Sequence, residues 1–320
     1  MAVETGQCMS ASPHNAPTTP VTICMVTYNS AALLPDTLAH LLAVTHYPAA
    51  RWLVVDNASS DGTADLIRQR WPEVRVEQMG SNLGYPAAIN RAFALADTEL
   101  VAQVNPDVRV ESGWLAPLVA ALEADPGAAL AGGRILRPDG STQFCGSRLH
   151  PWTALLGTRG ARDPGEQPTC VDFHSPLFLT RRAAWQAVGG FDEGYTPGYY
   201  EDAELGFACR RAGWRVLFIP ACRAVHLGSA TFGRLSLRDF MRFYERNRLR
   251  FVCRNYPPLW LALHLVGEPA KAVESVVRGY AREYGDAWRT LWRARAALRA
   301  FRAGWRQTDR TGPNPSSAVG

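Results

Sequence analysis

From Val21 onward, short apolar runs alternate with longer segments whose apolar residues recur at helical spacing. The runs "VTICMVTY", "RWLVVDN", "VRVEQMG", "ELVAQVNPDV" and "AALAGGRIL" predict strands. Between them "ALLPDTLAHLLAV", "SSDGTADLIRQRW", "GYPAAINRAFALAD" and "GWLAPLVAALEAD" predict helices, two with Pro35 and Pro86 near their first turns. Apolar strands alternating with helices predict an α/β fold with a parallel sheet covered on both faces. From 132 to 180 the pattern weakens. "GGRILRPDGSTQFCGSRLHP" and "GTRGARDPGEQPTC" read as loops, and "VDFHSPLFLT" restores a strand. "RRAAWQAVG" and "YYEDAELGFACRRAGW" read as helices, "RVLFIP" as a strand, and "ACRAVHLGSAT" as the loop after it.

Open α/β sheets bind ligands beyond the carboxyl ends of their strands. Here those ends carry Thr27, Tyr28 and Asn29; Asp56 and Asn57; Ser81, Asn82 and Gly84; then Asn105 and Asp107. Four successive strands ending in ligand-binding groups point to a polar ligand. A cap on the next helix would also explain Asp56, but Ser60 and Asp61 serve that task from nearer positions. No GxGxxG follows the first strand and no GxxxxGK[ST] occurs, which disfavours a dinucleotide cofactor or a P-loop.

Seven scattered cysteines, none in a CxxC pair, disfavour zinc ribbons and redox dithiols and read as small core residues in a reducing compartment. The polar, Pro-rich residues 1–20 predict a disordered leader rather than a signal peptide. The longest membrane-like run, "LWLALHLV", is far short of a span. A cytoplasmic location follows as an expectation.

The phrases "VTYNS", "VVDNASSDGT", "NLGYPAAIN", "NPDV", "GGFDEGYTPGYYEDAELGFACRRAGW" and "VHLGSAT" occur in that order between residues 21 and 231. Together they resemble family 2 inverting glycosyltransferases of the GT-A fold, most of all the bacterial rhamnosyltransferase branch. The resemblance implies a catalytic domain over 21–235. Its nucleotide-binding half would be 21–131 and its acceptor-binding half 132–235. It implies a dTDP- or UDP-sugar donor, a glycan or polyprenyl-diphosphate-linked acceptor, and Mg²⁺ or Mn²⁺ on the diphosphate.

By that resemblance Asp56 contacts the nucleobase, with Thr27, Tyr28, Asn29 and Asn57 around it. Asn82, Gly84 and Asn90 line the nucleotide, although Gly84 also reads as a turn residue. Asn105 and Asp107 form the acidic motif after the fourth strand, with Asp107 as metal ligand and a neutral Asn where a first carboxylate often stands. Asp202 is the general base, Glu201 an acceptor-site contact, His226 a second metal ligand, and Ser229 and Thr231 phosphate neighbours. "HSPLFL" departs from the family's small "SGA" element, which bears on the sugar and the acceptor fit.

The segment 236–310 predicts a basic helical region, and 311–320 a flexible tail. From Lys271 to Arg310 ten basic residues against four acidic ones give +6 (10 − 4). Trp288, Leu291, Trp292, Leu298, Phe301 and Trp305 recur near helical spacing among arginines. Such a helix fits an anionic membrane surface and equally a packed helix or a homodimer contact. Nucleic acid is not expected, since no recognised module accompanies the basic residues. The alternatives to a transferase are a nucleotidyltransferase and a degenerate, non-catalytic nucleotide-sugar-binding subunit.

Overall fold

The computed structural model describes residues 19–147, 164–228 and 235–308. They fall into two compact units, 19–147 with 164–228, and 235–308. The leader, the tail, and Ser229 and Thr231 lie outside the described residues.

In the first unit β1 (Val21–Thr27) is buried at every position, and it pairs in parallel with β2 (Ala50–Asp56) and with β4 (Leu100–Val104). Strand β3 (Arg75–Gln78) extends the parallel run beyond β2. Continuous apolar strands of this kind need cover on both faces. Helices α1 (Leu34–Val44), α2 (Thr63–Arg70), α3 (Tyr85–Leu95) and α4 (Leu115–Ala124) supply it. Helix α3 turns Ala88, Ile89, Ala92 and Phe93 inward, the i, i+1, i+4, i+5 stripe of an amphipathic helix. Phe93 meets Phe191 edge-on at 5.8 Å, in a core that also holds Cys24, Val55, Phe178, Leu205 and Phe218.

The second half of the sheet is mixed. The strand order is β3-β2-β1-β4-β9-β6-β10-β5. Strand β9 (Leu177–Arg181) runs antiparallel to β4 and to β6 (Ala128–Leu136), and β10 (Arg215–His226) is parallel to β6. Strand β5 (Val108–Val110) pairs antiparallel with β10; β7 (Thr142–Phe144) pairs with β6, and β8 (Thr169–Cys170) with β10. Helices α5 (Arg182–Ala187) and α6 (Glu201–Arg211) complete the unit.

Three expectations are corrected here. The "ACRAVH" stretch is strand, not loop. Pro220 does not end β10 because it falls where the register jumps from Phe218↔Gly132 to Arg223↔Arg134, a bulge that needs no proline N–H. Of "VDFHSPLFLT" only Leu177 onward is ladder strand. Its His174 is buried against β6 with Nε2 on the Leu217 carbonyl, and burial pushes its pKa down to about 4. A Cβ at Gly132 would lie 2.4 Å from that ring, so only glycine fits there. Within "RPDGSTQF" a hairpin strand, β7, replaces the expected loop. Cys24, Cys145, Cys209 and Cys222 are buried, as small core residues are.

The second unit is three helices: α7 (Leu237–Asn255), α8 (Pro258–Val277) and α9 (Ala281–Thr308). Ser236 caps α7 by accepting the Asp239 amide at 3.2 Å. Met241, Tyr280 and Tyr284 form its small apolar centre, with Trp288 against it, whereas Trp292 is 68% exposed.

Candidate active site

Parallel strands β1 and β2 end side by side, with Thr27 opposite Asp56. Asp56 accepts hydrogen bonds from Thr27 Oγ1 at 3.0 Å and from the amide and hydroxyl of Ser59. A carboxylate has about four acceptor sites, so one more donor can be taken. Capping falls to Asp61, which accepts the Thr63 amide at 3.1 Å and the Ala31 amide at 2.9 Å. Asn29, at φ +49°, accepts the Ser60 amide, and Tyr28 is 40% exposed beside it. The turn after β1 is thereby tied to the turn after β2.

Asn57 donates to Asn82 Oδ1 at 2.9 Å and accepts the Leu83 amide, and Asn82 Oδ1 accepts the Gly84 amide. These asparagines build the loop that leads into α3. Gly84 has φ +87°, and a Cβ there would lie 2.3 Å from Thr196 Oγ1 and 3.3 Å from the Pro197 backbone. The turn reading is the one the geometry requires. Gly84→Ala is expected to destabilise the protein by roughly 1–3 kcal/mol, read as a lowered thermal midpoint. An unchanged midpoint would show that this close approach is slack. Asn90 is engaged at both ends of its amide: it donates to the Phe191 carbonyl and Glu193, and accepts the Phe191 amide at 2.9 Å. In this structure it docks the 191–193 turn on α3.

Asn105 Oδ1 accepts from Gln103 Nε2 at 2.7 Å, and Gln103 also donates to the Pro176 carbonyl. Gln103 is buried inside β4 and hydrogen-bonds Tyr85 as well. Sequence reasoning missed both Tyr85 and Gln103. The signal was the single polar residue inside "LVAQV", where an uninterrupted apolar run belongs.

Asp107 and His226 come together. His226 Nε2 lies 3.2 Å from Asp107 Oδ2, and its Nδ1 lies 3.1 Å from Gln143 Oε1. The pairing of His226 with Val108 across β10 and β5 sets this contact. Gln143 sits on Nδ1, so Nε2 is the ring nitrogen that faces the carboxylate, and an imidazole nitrogen and a carboxylate oxygen are both ligands that divalent cations accept. Two donors about 3 Å apart also suit adjacent positions around an ion with bonds near 2.1 Å. Among the described residues no three His, Cys, Asp or Glu side chains gather at one point. The pair therefore fits a cation whose other ligands come from water and a bound phosphate, the usual habit of Mg²⁺. Gln143, on the unforeseen β7, was not legible as part of this group.

Glu201 and Asp202 open α6, after Tyr199 and Tyr200, two non-glycine residues at φ +72° and +76°. Consecutive left-handed residues are strained, and such strain gathers at functional sites. Burial raises the pKa of both acids, and the Asp202 charge raises Glu201 further. Hydrogen bonds from Ser175 and from Glu201 pull Asp202 part of the way back. Glu201 is therefore the acid of the pair that takes up a proton first as pH falls. The two carboxylates also act on Tyr85, whose phenol is held protonated by burial and by their charge. Tyr85, Ser175, Glu201 and Asp202 thus form one group, while Asp107 and His226 form another at the ends of β4 and β10.

The chain matches the model of "Glycosyl transferase family 2" over residues 22–189. It is 32% identical over 243 residues to an N-acetylglucosaminyl-diphospho-decaprenol L-rhamnosyltransferase of Mycobacterium tuberculosis, covering 66% of this chain and 77% of that one. Its fold is similar to the structure of GalNAc-T7 with UDP, GalNAc and Mn²⁺, at TM-score 0.64 and 16% identity, over 86% of this chain and 55% of that one. It is also similar to a mannosyltransferase of Pyrobaculum calidifontis in complex with GDP-Man and Mn²⁺, at TM-score 0.55 and 19% identity, over 92% and 82%. These neighbours are GT-A glycosyltransferases, the fold class that the motifs imply. The chain belongs to glycosyl transferase family 2.

Proposed function

We propose that this glycosyltransferase is inverting, and that it moves a sugar from a dTDP- or UDP-sugar to a glycan or polyprenyl-diphosphate-linked acceptor. Rhamnose is the sugar we favour, because of the rhamnosyltransferase relative, in building a cell-surface polysaccharide on the cytoplasmic side of a membrane. The observation that carries the mechanism is the pair of adjacent acids at the start of α6, Glu201 buried and Asp202 half-buried, held there by two left-handed tyrosines.

Asp202 takes the proton of the acceptor hydroxyl as that oxygen bonds to the anomeric carbon. The bond from that carbon to the diphosphate oxygen breaks on the opposite face, and the nucleoside diphosphate leaves with the electron pair. Glu201 stands beside Asp202 and borders the acceptor. Asp107 and His226 would hold the divalent cation, whose chemistry is to neutralise charge growing on the leaving diphosphate. Asp56 has capacity for the imide N–H of uracil or thymine, with Thr27 and Asn29 fixing the turns around it. Tyr28, Asn57, Asn82, Gly84, Asn90 and Asn105 shape or border the nucleotide pocket.

The test is thermal denaturation with dTDP, UDP, GDP and CDP, each with and without Mn²⁺ or Mg²⁺. A ligand at a hundredfold excess over its Kd stabilises by about 2.7 kcal/mol. We expect stabilisation by dTDP or UDP that grows with the cation, and loss of the cation's increment in Asp107→Asn. No shift with any nucleotide would defeat the reading.

A further inference from the structure

Helix α8 is built inside out. Its 20 residues direct His264, Glu268 and Ser275 into the helical unit, with Lys271 half-buried beside them. The opposite line, Leu259, Ala262, Val266, Ala270, Val273 and Val277, faces water, with Val266 78% and Val277 80% exposed. A surface helix ordinarily does the reverse. The reason lies inside the unit: Arg248 of α7 is buried and bonded to Glu268 of α8, with His264 against the same carboxylate, so α8 must spend its polar face inward. The apolar line carries no charged residue. Glu274, at its margin, is already clasped by Lys271 and Arg278.

We propose that this face of α8 seats the protein on an anionic lipid surface, lying in the plane of the headgroups. The helix is about 30 Å long, a usual length for an interfacial helix. No helix among the described residues is long and apolar enough to cross a membrane. Charge selects the occupant. Arg282, Arg293, Arg295 and Arg299 are exposed on α9. The acids of α8 and α9 are either buried, as Glu268 and Glu283 are, or ion-paired, as Glu274 and Asp286 are. The exposed side chains of α8 and α9 therefore carry a surplus of cations, which anionic headgroups complement. Exposed Trp292, and Trp260 near the start of α8, are side chains that favour a membrane–water boundary. The apolar line, rather than the arginines, is the seat; the arginines add a salt-sensitive increment.

The experiment is co-sedimentation of the full chain with vesicles of equal parts phosphatidylglycerol and phosphatidylcholine, and with pure phosphatidylcholine. The wild type is expected to pellet with the anionic vesicles, less so in high salt. Val266→Glu, Val273→Glu and Val277→Glu together are expected to lower the partition by roughly tenfold or more. The matching Val→Ser triple should fall in between, which guards against misfolding of the charged variant. Donor-nucleotide thermal shifts should be equal in all three proteins, so this inference and the transferase reading fail separately. Wild type left in the supernatant, or variants that pellet as it does, would overturn the proposal. So would a wild-type dimer that the charged triple splits, since the face would then belong to a second copy.

Discussion

Asp202→Asn is expected to lower kcat about 10²–10⁴-fold, the usual worth of a general base, with nucleotide-induced stabilisation unchanged. The substitution keeps the size of the side chain and removes only its ability to take a proton. Its neighbours supply the controls. On the proposed mechanism activity requires ionised Asp202, and burial raises its pKa, so turnover is expected to fall as pH drops through that raised value. The Ser175 hydroxyl is one of the groups holding the value down. Ser175→Ala therefore moves the acid limb of the kcat–pH profile to higher pH and leaves the plateau in place. Glu201→Gln retains an N–H that can donate to Asp202, and should lose far less turnover than Asp202→Asn. A pH profile of donor turnover separates the three. Asp202→Asn with kcat within tenfold of wild type would remove Asp202 from the mechanism.

Strands β1, β2 and β4 were legible because each is a mostly apolar run closed by polar residues, the pattern of a parallel sheet buried on both faces. The same rule hid what lies beyond Pro220. A proline inside an apolar run reads as a stop, and only the pairing partners reveal that β10 passes it at a bulge. That error mattered, because it left His226 on a loop instead of at the end of a paired strand opposite Val108. Asp107 was legible as a strand-end acid, but its partner His226 only through family resemblance; nothing in their separation along the chain marks them as neighbours. Gln103 interrupts an apolar run and so left a trace, whereas Gln143 touches His226 from a strand the pattern did not show, and that contact leaves none. In α8 periodicity shows an apolar stripe but cannot say which side faces inward. That depended on Arg248, one arginine among many in "ERNRLRF", being the buried one.

Arg248 also carries the largest expected stability effect. Its guanidinium is 1% exposed and makes paired bonds to both oxygens of Glu268, at 2.9 and 3.0 Å, and a third to Glu245 at 2.7 Å. Lys271 reaches the other oxygen of Glu245 at 3.3 Å, and Tyr284 donates to Glu268. Two cations and two carboxylates balance in a largely buried group, with only Lys271 reaching toward water. Arg248→Met leaves two buried acids short of charge, and loss of one partner from such a group costs about 3–5 kcal/mol. The helical unit should lose that much in urea denaturation followed by far-UV circular dichroism. The acid dependence has a definite sign. Burial alone would raise the Glu268 pKa, but hydrogen bonds from His264 and Arg248 overcome it and hold the value down at about 2, against 4.5 when unperturbed. Stability from this ion pair is therefore present above about pH 4.5 and drains away as pH falls toward 2, roughly 3 kcal/mol in all. Glu268→Gln should weaken the unit near neutrality and flatten its acid dependence over that window. A wild-type unit as stable near pH 2 as near neutrality, or an Arg248→Met variant within about 1 kcal/mol of wild type, would show that the buried charges compensate one another without this arginine.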